Sequence, residues 1–148
     1  GLVADDVLRR DLVREIRRAS PSLVLTHDPT TLWTSIAGRV HLGHSDHRAA
    51  GQATLDALYP RLVLASFYPE LAAEGFGPWL VREIWLFDTS APDHFVETAP
   101  GHAAKREALR CHESQLGAGL LEGADALERG LRRPEEPAAE AFRRLVLG

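Results

Sequence analysis

The chain has 148 residues, 45% hydrophobic and 26% charged, with 12 Gly, 9 Pro, one Cys and no Met, the balance of an ordinary domain with one compact core. It offers no apolar run near the roughly 20 residues of a membrane span, no basic-then-apolar leader and, with a lone Cys111, no internal disulfide or CxxC site, so a cytoplasmic location is expected. With 17 Lys+Arg against 21 Asp+Glu the net charge is −4, which argues against a counterion-driven nucleic-acid binder.

Val7, Leu8, Leu12, Val13 and Ile16 recur at three- and four-residue spacings and predict an amphipathic helix from Asp5 to about Ala19, ended by Pro21. Leu23-Val24-Leu25 is a short apolar run that reads as a buried strand. It stops at Thr26-His27-Asp28-Pro29, and from there to Gly43 the absence of any period predicts a long loop. Ser45 and Asp46 are good helix caps, and His47 to Tyr59 reads as a helix closed by Pro60. Leu62 to Ala65, Val81 to Phe87 and Phe95 to Thr98 are three further candidate strands. A helix follows from about His102 to Leu116, then a polar Gly-rich stretch ending in an exposed turn at Arg132 to Pro137, then a last amphipathic helix to Leu147. Helices alternating with short apolar strands predict an α/β domain with a mainly parallel sheet and flanking helices. Ligands of such sheets collect where loops leave the carboxyl ends of the strands, and the loops after Leu25 and Ala65 would lie there.

The densest reactive cluster is His41-Leu42-Gly43-His44-Ser45-Asp46-His47. Residues three apart on a first helical turn point the same way, so His44 and His47 can converge on one ion or substrate atom. Gly43 allows close backbone approach. Asp46 can fix the tautomer of one imidazole by accepting its N–H. Capping, packing or plain exposure is the competing explanation of such a pair. His27-Asp28, directly after a strand, should line the same edge, against the alternative of an Asp-Pro turn. Lys105, Leu109 and His112 share a helix face, with Gln115 adjacent, and helix-face salt bridging explains them as well. Asp93-His94 reads as a turn. Trp33, Trp79 and Trp85 are core or pocket walls, Trp85 by its apolar strand a core residue.

Taken together, several blocks resemble the LmbE-like, or PIG-L, zinc-dependent N-deacetylases. They run from Leu12 to Arg18, Pro21 to Leu25 with Thr26-His27-Asp28-Pro29, and Gly43-His44-Ser45-Asp46-His47-Arg48-Ala49-Ala50-Gly51. They continue through Val81 to Phe87, Pro92 to Thr98, and the helix of Lys105, Ala108-Leu109, His112 and Ser114-Gln115. The resemblance implies a Rossmann-like sheet and removal of an acetyl group from an N-acetylglucosamine-type conjugate. It implies that His47 is a Zn2+ ligand. His44 would stabilise the oxyanion or protonate the leaving amine, Asp46 would tune His44, and His27 and Asp28 would face substrate.

The family's other signature, His-Pro-Asp-Asp after its first strand, is not found, and Ser45 stands where the family usually has Pro. By the resemblance, residues 1–148 are the C-terminal portion of a single deacetylase domain whose fold is incomplete in this chain. The missing motif would supply two metal ligands and the general base. One ligand is too few for a catalytic Zn2+, which normally has three, so the polypeptide alone is expected to be inactive. The expected partners are an amino-sugar conjugate, a second polypeptide or N-terminal segment carrying His-Pro-Asp-Asp, and further copies of the chain through exposed sheet edges. The alternative is a noncatalytic sugar-binding or assembly module derived from that fold.

Overall fold

The computed structural model describes residues 1–36, 39–115, 123–125 and 137–148. Helix α1 (Asp6–Ala19) starts where Asp5 accepts the Leu8 N–H and ends at Ser20 in the left-handed region. Strand β1 (Leu23–His27) follows, then β2 (Trp33–Ile36) and β3 (Arg39–Leu42). Helix α2 (Ser45–Asp56) runs into an irregular turn at Ala57–Arg61, with extended backbone at Tyr59 before Pro60. After α3 (Pro69–Ala73) come β4 (Glu83–Phe87), β5 (His94–Glu97), α4 (His102–Arg110) and β6 (Ala139–Val146).

The main sheet has the order β1-β4-β6-β5. Pairing of β1 with β4 is parallel, and pairing of β6 with both β4 and β5 is antiparallel. The sheet is therefore mixed where a mainly parallel one is expected from sequence. The reason is β6: residues read as an amphipathic helix form an eight-residue strand. Ile84 lies opposite Leu145 and Trp85 opposite Arg144, so cross-strand partners decide the conformation of a segment whose own pattern allows either.

One sheet face carries the core. Ile84 and Leu86 pack with Val13 and Ile16 of α1 and with Ala57, Leu58, Leu62, Leu71 and Val81. Trp85 alternates onto the other face, half-buried between the rings of His94 and Phe142.

Two further expectations are corrected. Leu62 to Ala65 is not a strand, because its carbonyls turn toward a buried cation. The Arg17 guanidinium, on a residue only 4% exposed, donates to the carbonyls of Arg61 at 2.9 Å and of Leu62 and Leu64 at 3.3 Å. Phe67 and Phe76 carbonyls complete the ring at 3.4 Å. The stretch from Pro29 to Gly43 is not a bare loop but the antiparallel β2–β3 hairpin, with Trp33 opposite Leu42. Among its described side chains Trp33, Val40 and Leu42 are exposed, Val40 at 66% and Leu42 at 83%, so these residues gave no period to read. The helix expected from His102 to Leu116 ends at Arg110, followed by a short turn of helix at Glu113–Gln115. Leu116 and the turn at Arg132 to Glu136 lie outside the described residues. Among the described residues no helix is long and apolar enough to cross a membrane.

Candidate functional site

The site forms at the carboxyl end of the parallel pair. His27 closes β1 opposite Phe87, the last residue of β4. The next residue on each strand is an aspartate, and the two have different work. Asp28, 3% exposed, accepts from the Thr30 backbone at 2.9 Å, the Thr30 hydroxyl at 2.6 Å and the Thr89 hydroxyl at 2.7 Å. Burial would raise its pKa, but these bonds and the charge of Arg143 hold it below the ordinary carboxylate value. Its carboxylate thereby ties the end of β1 to the loop after β4.

Asp88 instead stays exposed, in the left-handed region at φ 54°, a conformation aspartate tolerates better than most side chains. Its Oδ2 lies 2.9 Å from His27 Nδ1 and 3.9 Å from His47 Nδ1. The His27 and His47 rings stack at 4.0 Å with planes 15° apart. Burial and the neighbouring His47 lower the pKa of His27 against the opposing pull of Asp88.

His47 reaches β1 because α2 lies directly on it. A Cβ at Gly51, one turn beyond His47, would sit 2.3 Å from the His27 carbonyl oxygen, so only glycine lets this helix approach so closely. The cap of α2 is His44, not Ser45 or Asp46: its Nδ1 accepts the Asp46 backbone N–H at 3.1 Å. Of the two imidazoles expected to converge, His44 stands 5.4 Å from His47 ring to ring. Asp46 places Oδ2 4.0 Å from His44 Nδ1, beyond hydrogen-bond reach, while its Oδ1 accepts the Leu2 backbone N–H. That bond foremost lowers the Asp46 pKa.

His27, His41, His44, His47, Arg48 and Asp88 share the wall of a cavity of about 230 Å³. Asp88 also borders a larger cavity of about 700 Å³ on the sheet's other face, between Leu25, Trp33, Phe87, Lys105 and Phe142. Lys105 pairs with Glu140 at 2.5 Å, and Trp79 donates to the Pro21 carbonyl.

The structure thus gathers His27, His44 and His47 and turns Asp28 inward. Sequence reasoning missed Asp88. Its signal is the one that exposed His27: a polar residue just past an apolar strand. Two imidazole nitrogens and a carboxylate oxygen within 4.8 Å of one another are donors of the type that suits Zn2+.

No protein-family model matches the chain. It is 31% identical over 109 residues to the diacetylchitobiose deacetylase of Thermococcus kodakarensis, a match covering 74% of this chain and 38% of that protein. Its fold resembles the N,N'-diacetylchitobiose deacetylase of Pyrococcus horikoshii solved with the inhibitor MPG, with TM-score 0.77 at 21% identity over 97% of this chain and 52% of that one. A conserved protein of Thermus thermophilus gives TM-score 0.72 at 20% identity over 96% and 59% of the two chains. The chain spans about half the length of these solved structures, and less of the curated relative.

Proposed function

The chain belongs to the LmbE-like, or PIG-L, deacetylase family, and from that premise we propose that it supplies half the site of a hydrolase removing an N-acetyl group from an N-acetylglucosamine-type conjugate in the cytoplasm. The observation that carries this reading is the shared cavity: His44 and His47 stand on one helix start at the carboxyl edge of a strand, with His27 behind them. The Rossmann-like arrangement inferred from sequence fits a site at that edge.

In this reading His47 holds the Zn2+, with donors and a general base brought by a segment carrying His-Pro-Asp-Asp. When bound, the ion polarises the amide carbonyl and activates water. His44 supplies the proton. Its Nδ1 lone pair is engaged by the Asp46 N–H, so the neutral ring carries hydrogen on Nε2 and can hydrogen-bond through it to the developing oxyanion, while the imidazolium, formed when Nδ1 takes a proton, gives its Nε2 proton to the leaving amine and returns to the neutral ring. Asp46 Oδ2, 4.0 Å from Nδ1, places a negative charge beside the protonated ring. Asp28 acts by holding the loop that carries Asp88. The added segment fits beside β1, an edge strand among the described residues whose Leu25 is half exposed. The sugar-binding module is the second reading, favoured by the cavity walled by Leu25, Trp33, Phe87 and Phe142.

The test is acetate release from an N-acetylglucosamine conjugate by the chain joined to a His-Pro-Asp-Asp segment. His44→Ala should keep the metal and lower turnover by about 10² or more. His47→Ala should lose the metal. Undiminished turnover in His44→Ala would remove it from the chemistry, and sugar binding with no acetate release by the complete assembly would favour the module.

A further inference from the structure

We propose that Arg48 is a positioning residue for His44, holding the junction between β3 and α2 so that the His44 ring keeps the orientation its chemistry needs. The role rests on the reading of His44 as proton donor in the proposed reaction and adds the residue that fixes it. His44 is exposed and caps the start of α2, where a helix frays most readily. A side chain there that must present Nε2 to a substrate needs its backbone held by something other than burial. Arg48 meets that need twice. Its Nη1 donates to the Gly43 carbonyl at 2.6 Å, and its backbone N–H donates to the His44 carbonyl at 3.3 Å. The peptide groups on either side of His44 therefore both end on Arg48.

The other side of the junction is fixed independently. The Gly43 N–H donates to the Leu32 carbonyl at 2.8 Å, and a Cβ at Gly43 would lie 3.1 Å from the Thr31 carbonyl oxygen, so the chain just before β2 presses close on this residue. With its N–H and its carbonyl both bonded, Gly43 leads into His44 along one path. From that start His44 Nδ1 reaches the Asp46 N–H at 3.1 Å, which sets the tautomer that carries hydrogen on Nε2. A guanidinium suits the task, because it stays charged at every working pH and its bond to a carbonyl is charge-assisted. Arg48 is half-buried in the wall of the cavity that His44 also lines, so water competes less for that bond. Plain support of the helix explains the same contacts without any role for His44, and the experiment separates the two.

Arg48→Met keeps much of the stem and removes the donor, and Arg48→Lys returns one charged donor. In NMR spectra of the chain alone, above neutral pH, the parent His44 should carry hydrogen on Nε2 with Nδ1 as acceptor. Arg48→Met should show both tautomers and a displaced Asp46 amide resonance, and Arg48→Lys should restore the parent spectrum in part. In the chain joined to a His-Pro-Asp-Asp segment, Arg48→Met should keep KM and Zn2+ content and lower kcat about tenfold, since a misplacement of about 1 Å can cost up to 10²-fold. Added to His44→Ala it should cost nothing further, because a residue acting through His44 then has nothing left to position. Circular dichroism checks folding, and if Arg48→Met does not fold, Arg48→Lys is read in its place for a smaller amide displacement and a smaller loss in kcat that His44→Ala again removes. A variant that only lowers the melting temperature, with the His44 tautomer and Asp46 amide of the parent, would mean that Arg48 supports the helix and nothing more, and the proposal falls. Losses in kcat that add in the double variant overturn it as well. If the unaltered assembly releases no acetate, the deacetylase reading fails, and the His44 tautomer in the chain alone still decides whether Arg48 orients that ring.

Discussion

Arg17 and Asp88 are both charged groups with several neighbours in reach, and they use their polar atoms differently. The guanidinium is enclosed, and every nitrogen points at a carbonyl of the same winding stretch between Arg61 and Phe76. Asp88 is exposed and offers a single oxygen to two imidazoles whose other atoms face a cavity. A saturated polar cluster fixes backbone and has nothing left to bind. An unsaturated one at a strand edge is stable only because solvent reaches it, and it keeps capacity for a ligand.

The contrast predicts that damage at the first cluster falls on stability and damage at the second on ligand uptake. The largest effect on stability should come from Arg17→Met. It keeps much of the stem but takes the guanidinium from carbonyls 61, 62, 64, 67 and 76, of which 62 and 64 keep the Trp79 and Phe67 backbone N–H groups, and the loss should cost about 3 kcal/mol in urea unfolding. Metal uptake by the folded fraction should be unchanged. A loss below about 1 kcal/mol would mean that water replaces the guanidinium, and the distinction between the clusters would weaken.

Gly51→Ala joins the two quantities at one residue. The added methyl group meets the His27 carbonyl at 2.3 Å, a backbone atom that cannot swing aside, so α2 must lift from β1. Overpacking of this kind costs about 1–3 kcal/mol, offset by about 1 kcal/mol of helix propensity, leaving up to about 2 kcal/mol. The same displacement should part the His27 and His47 rings, readable as loss of mutual ring-current shifts, and weaken metal binding. A variant equally stable with unaltered ring shifts would show that the seat of α2 does not set the site.

The legibility of these features in the sequence follows from what each residue packs against. Helix α1 and strand β1 announce themselves because apolar period, cap and Pro21 agree. His27 and His47 were legible as strand-end and helix-start residues, but their stacking depends on Gly51, whose meaning appears only once helix and strand touch. Asp88 follows Phe87 as His27 follows Thr26, yet an aspartate after an apolar run also reads as an ordinary turn residue. Leu62 to Ala65 misleads for the opposite reason: its side chains are apolar, while its conformation is set by its carbonyls and by an arginine 45 positions earlier. Strand β6 is settled by β4, far away in sequence, so no local pattern could have fixed it.

The smallest effect concerns a third kind of charged group, paired on the surface of the sheet. Glu83 accepts two bonds from Arg144 at 2.6 and 2.8 Å across β4 and β6, and a further one from Trp85 at 2.9 Å. The Arg144 contact first, then Trp85, pull the Glu83 pKa from 4.5 down to about 2. A carboxyl whose folded pKa is depressed lends stability that is complete above its unfolded value and disappears as pH falls through the folded one. Thermal unfolding of the parent should therefore lose an increment between about pH 4.5 and pH 2 that Glu83→Gln lacks. The two melting curves should differ most near neutrality and draw together toward pH 2. Because the pair is solvent-exposed and screened, the difference should also shrink in high salt. Metal binding measured at neutral pH should be the same in both proteins, since Glu83 lies at the opposite end of β4 from Asp88. Melting curves that stay parallel from neutrality to pH 2 would mean that Glu83 binds its proton equally in the folded and unfolded chain, and that the β4–β6 pairing draws nothing from this contact.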